Sequence, residues 1–161
     1  MKGFAKRPRV DVAPGERVLA WTDTTTGEVL AGTREALYLG GTRLAWEDVE
    51  AADWDRETEV FRVIEVGTWG EVRAEHRFAI GEPRRLLELV RERVTASVLL
   101  VRHVPLDGRR GLRVIARRAP AGDRDVRWLY EYDAGIDPGD PVVRLAAENA
   151  LADARSEVGL D

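Results

Sequence analysis

Apolar and polar positions alternate most clearly between residues 71 and 80. Val72, Ala74, His76, Phe78 and Ile80 share one face, and Glu71, Arg73, Glu75 and Arg77 share the other, the period of a half-buried strand. Shorter runs of this kind recur upstream at roughly 8–12-residue spacing. They predict strands over 16–22, 28–32, 36–39, 43–46, 51–55 and 60–66, followed by 71–80. Thr26-Gly27 and Gly40-Gly41 fall between strands, where tight hairpins need positive φ. The period then changes: Leu86, Leu87, Val90 and Val94 form a helical stripe opened by Glu82-Pro83 and ending near 96–97. Strands over 98–105 and 111–118 follow, joined by Asp107-Gly108, and a third sets Val126, Trp128, Tyr130 and Tyr132 on one face. Asp140-Pro141 opens a second helix that Gly159 ends. Its narrow stripe of Val143, Ala147, Ala150, Ala154 and Val158 suits close packing on a sheet or on the first helix.

The order is therefore seven short strands, a helix, three strands and a helix, an α+β chain. Residues 1–14 read as a basic flexible leader, 15–100 as a barrel or sandwich with its helix, and 101–161 as a hairpin, third strand and C-terminal helix. No Gly/Ser linker occurs near residue 100, so the last two are expected to pack as one unit. The 161 residues lack cysteine, which excludes disulfides and Cys-ligated metals. The net charge of −4 excludes a globally basic nucleic-acid coat. No apolar run approaches the roughly 18 residues of a membrane span, and no signal peptide is evident, so the cytoplasm is expected.

The segment Thr33-Arg34-Glu35-Ala36-Leu37-Tyr38-Leu39, a Gly-Gly turn, then Leu44-Ala45-Trp46-Glu47-Asp48-Val49 resembles the middle of bacterial pleckstrin-homology-like (PH-like) domains. The resemblance covers about residues 14–100 and implies a seven-stranded antiparallel barrel capped by its helix. The whole chain also resembles uncharacterised small proteins of high-GC actinobacteria. A PH-like scaffold does not fix a function. Eukaryotic members often bind inositol phosphates through bases around the first hairpin. Here residues 23–28 carry Asp23 and Glu28 and no base, so no phosphoinositide is expected.

Charge is segregated along the chain. Arg102, Arg109, Arg110, Arg113, Arg117 and Arg118 face one acid, Asp107, within 101–118. Residues 44–60 hold seven acids against Arg56, and 119–161 hold ten acids against four bases. A basic β-ribbon beside Trp128, Tyr130 and Tyr132 is suited to phosphate contact and base stacking. Equally, ribbon and acidic segments can satisfy one another within the chain or across a symmetric dimer, with the aromatics as core. Trp46 and Trp54 flank the acidic stretch as core fillers or partner anchors, and Trp69, in Gly67-Thr68-Trp69-Gly70, sits at a loop tip with little core to enter.

Catalytic patterns are absent. The two histidines, His76 and His103, have no metal-like spacing, Ser97 and Ser156 lie in no nucleophile elbow, and no phosphate-binding glycine loop occurs. The expectation is a non-catalytic interaction or scaffold module without cofactor or metal. Its partner would be another protein or a second copy, with Arg109, Arg110, Arg113, Arg117 and Trp69 as contact candidates. The alternative is polyanion binding, to nucleic acid or an anionic membrane face, through the 102–118 ribbon.

Overall fold

The computed structural model describes residues 10–67, 73–120 and 125–159. It is mixed α+β, with three antiparallel sheets and two helices. The first sheet is a meander of β1 (Ala20–Asp23), β2 (Val29–Gly32), β3 (Ala36–Leu39) and β4 (Thr42–Ala45). The second is a meander of β5 (Val49–Asp55), β6 (Val60–Glu65) and β7 (Glu75–Ala79). Helix α1 (Arg84–Ser97) follows and packs against β1, β2 and β5. The third sheet, in the order β10-β9-β8, comprises β8 (Val98–Asp107), β9 (Arg110–Arg117) and β10 (Arg127–Tyr132), before α2 (Pro141–Glu157).

The expected closed barrel does not form. Between β4 and β5 the chain turns through a 3₁₀ segment, Trp46–Asp48, so the two strands belong to different sheets. Trp46 fixes that corner: it is fully buried, and its indole N–H donates to the Thr33 carbonyl at 2.9 Å. It fills the core, as does most of Trp54, whose indole N–H donates to the Ile80 carbonyl.

Two cores result. Leu30, Leu37, Trp46, Phe61, Ile80 and Leu86 centre the first, beneath α1. Leu112 and Val114 of β9 meet Val143, Ala147, Ala150 and Ala154 of α2 in the second. The alanines let α2 lie close on the sheet, chiefly over β8 and β9. Its start follows from local chemistry: the Asp140 carboxylate accepts the Val142 N–H at 2.8 Å, and Pro141 occupies the first turn, where no donor is required. At α1 Pro83 is itself the N-cap, without a side-chain cap, so the helix begins one residue later than Glu82-Pro83 suggests.

The cores are joined without a linker, because Val98 is both the C-cap of α1 and the first residue of β8. Among the described residues, no helix is long and apolar enough to cross a membrane.

Candidate functional site

The arginine ribbon is largely spent inside the molecule. Arg102 pairs with Glu157, Arg110 with Asp107 at 2.9 Å, and Arg113 with Glu131 and Asp133 at 3.1 and 3.2 Å. The acidic stretch is engaged as well, through Asp48 with Arg127, Asp53 with Arg62 and Glu50 with Arg73. Of the ribbon arginines, Arg109, Arg117 and Arg118 make no ion pair among the described residues, and Arg109 is exposed at the hairpin turn. Trp69 lies outside the described residues.

Arg117 departs most from the surface role expected of it: it is 5% exposed. Its cause is a break in register in β5. Val49 pairs with Glu65 and Ala51 with Ile64, so Glu50 is the extra residue of a bulge. The Arg117 guanidinium reaches across from β9 and donates to the Val49 carbonyl at 3.1 Å, with the Glu50 carbonyl at 3.5 Å and Ser97 Oγ at 3.4 Å. Burial holds Arg117 below its ordinary pKa, against the pull of Glu50 and Glu131, and the same burial raises Glu50. Arg117 thus ties the third sheet to the second and is a structural strut.

Each histidine faces a carboxylate. His76 bonds Glu65 at 2.7 Å, and His103 lies 3.7 Å from Asp133. Asp133 already accepts the Gly111 N–H at 2.9 Å, which chiefly holds its carboxyl below the usual range, Arg113 adding to the effect. Among the described residues, no cluster of His, Asp and Glu is arranged to hold a metal.

What remains is a cleft of about 670 Å³ between β10 and the N-terminal half of α2. Its lining comprises Trp128, Tyr130 and Tyr132 of β10, Arg144, Ala147 and Glu148 of α2, Asp137–Gly139, and Val66-Gly67. It exists because α2 sits over β8 and β9, so the aromatic face of β10 projects beside the helix instead of beneath it. The Tyr130 hydroxyl donates to the Ala147 carbonyl at 3.2 Å. Burial raises the pKa of both Tyr130 and Tyr132, with Tyr132 and Glu148 adding to the shift at Tyr130.

Among the described residues β10 is also a sheet edge, its neighbour on one side being β9. The Asp133 N–H donates to the Gly111 carbonyl, so this pair is of the hydrogen-bonded kind. Antiparallel pairs alternate. Glu131 with Arg113, Leu129 with Ile115 and Arg127 with Arg117 are therefore bonded pairs, and the N–H and C=O of Trp128 and Tyr130 point away from β9, out from the sheet edge. Sequence patterning placed the aromatics on one face, but it carried no signal for which strand ends the sheet. Compared with known proteins, the chain matches no family model, no curated protein and no solved structure.

Proposed function

We propose that this chain is a non-catalytic, cytoplasmic interaction module, built on a PH-like domain, that receives an extended protein segment along β10. One observation carries the reading: a strand edge that is open among the described residues, with the outward backbone groups of Trp128 and Tyr130, runs beside an aromatic cleft walled by a helix. An extended segment adds to such an edge through main-chain hydrogen bonds, while its alternate side chains enter the cleft. Trp128 and Tyr130 supply large rigid contact surfaces there. The PH-like part rests on the element order, a four-stranded meander, a three-stranded meander and a helix across residues 20–97. Polyanion binding along residues 102–118 has less behind it, because Arg102, Arg110 and Arg113 are already paired with acids and Arg117 is buried.

The test is residue-resolved amide hydrogen exchange, with peptides selected from a random display library as the probe. In the free chain at high dilution, the Trp128 and Tyr130 amides should exchange quickly and those of Leu129 and Glu131 slowly. A selected peptide should slow the Trp128 and Tyr130 amides. Equal protection of all four in the free, dilute chain would mean that the edge is not open and would end this reading.

A further inference from the structure

We infer that the segment received by β10 is β10 of a second copy, so that two chains join their third sheets into one six-stranded sheet. The inference rests on the strand-docking reading above and names its partner. It is carried by the self-complementarity of this strand.

An antiparallel copy related by a two-fold axis through Leu129 sets Trp128 opposite Tyr130 of the other copy, and this happens twice. Those are the residues whose N–H and C=O point outward, so the two pairs exchange four main-chain hydrogen bonds. Side chains of opposed residues share a face. On the α2 side the register therefore builds two Trp–Tyr pairs over the aromatic cleft. On the opposite side Leu129 meets Leu129 at the axis, close to Val66 and Gly67, which border Leu129 within each chain. Arg127 falls opposite Glu131 on both sides of the axis. Their in-chain partners, Asp48 for Arg127 and Arg113 for Glu131, make each cross-copy pair the extension of an existing network.

Neighbouring registers are worse. An axis through Tyr130 opposes Leu129 with Glu131, and an axis through Glu131 sets two carboxylates face to face. The other edge of the sheet, β8, is less suited to pairing: Pro105 lies in it, lacking a donor, and its register is broken near both ends.

Sedimentation equilibrium across a concentration series, with amide exchange at both extremes, tests this in the full chain. The expected result is a species of twice the 18.0 kDa chain mass, with the Trp128 and Tyr130 amides slowing as it forms. Leu129→Lys places two ammonium groups at the axis while keeping its bonds to β9, and should leave only monomer. Leu129→Glu should do the same, and mixing the two variants should restore a dimer containing one copy of each. Circular dichroism reports whether each variant is folded.

A wild-type monomer at every concentration with fast Trp128 and Tyr130 amides would overturn self-pairing and leave strand docking in place. A monomer with those amides slow would overturn both readings. A dimer that persists in folded Leu129→Lys, or variants that fail to restore it on mixing, would assign association to another surface and overturn the inference.

Discussion

Replacing Arg117 with methionine keeps most of the side-chain volume and deletes the guanidinium that spans the two cores. The Val49 carbonyl, accepting at 3.1 Å inside the bulge, loses its donor, and the weaker contacts to Ser97 Oγ and the Glu50 carbonyl go with it. A hydrogen bond from a charged donor contributes roughly 1.5–3 kcal/mol, and a buried acceptor left bare costs about 1–3 kcal/mol. Against this, the variant no longer buries a cation, and burial is the dominant influence on Arg117. The net loss should be about 2–3 kcal/mol, a large share of the roughly 5–15 kcal/mol that holds a domain. With a urea slope near 2 kcal/mol/M, the unfolding midpoint should fall by about 1–1.5 M. Arg113→Met is the control, because its paired side chain is one-third exposed and such pairs contribute about 1 kcal/mol or less. Its midpoint should move by about 0.5 M at most. Equal shifts for the two variants, or an Arg117→Met midpoint within about 0.3 M of wild type, would refute the assignment of Arg117 as the strut.

Two further outcomes follow from particular contacts. A Cβ on Gly111 would overlap the Val104 carbonyl oxygen, which is backbone and cannot step aside; Gly111→Ala should therefore spread the β8–β9 hairpin, cost about 3 kcal/mol, and be seen as a thermal midpoint lowered by several degrees. Tyr130 and Tyr132 ionise above the ordinary tyrosine value of 10.0. Because the fold favours their neutral forms, their contribution is intact below that value and is lost as the pH rises through the folded-state ionisation. Tyrosinate absorbance should accordingly develop above pH 10 together with loss of structure, and a midpoint for these two below 10 in the folded chain would contradict their burial.

Elements set by local chemistry were legible in the sequence. Asp140-Pro141 starts a helix because a carboxylate and a ring act on the turn they belong to, and Asp107-Gly108 marks a hairpin because Gly108 accepts a φ of 62°. Alternation sets Leu112, Val114 and Ala116 on one face of β9, all fully buried, while Ile115 and Arg117 are buried on the other. Alternation says which way a side chain points, but it is silent on what lies above. Arg113 and Arg117 point the same way; β5 roofs one, and the other reaches Glu131 and Asp133. The barrel expectation failed for a related reason, since a three-residue 3₁₀ turn at Trp46–Asp48 moves the chain between sheets without disturbing the strand pattern on either side. The candidate site was half legible. The aromatic face could be read, but the open edge depends on sheet order, which is settled by contacts distant in sequence.

The junction at Ser97 and Val98 has a mechanical consequence. Helix and strand share it without a spacer, the Val98 N–H donates back to Thr95, and Ser97 Oγ bonds the Val94 carbonyl while also meeting Arg117. There is no slack residue here at which the molecule can swivel and no exposed loop for a protease to enter between α1 and β8. A torque applied to the third sheet passes straight into the last turn of α1, so the two cores turn as one lever.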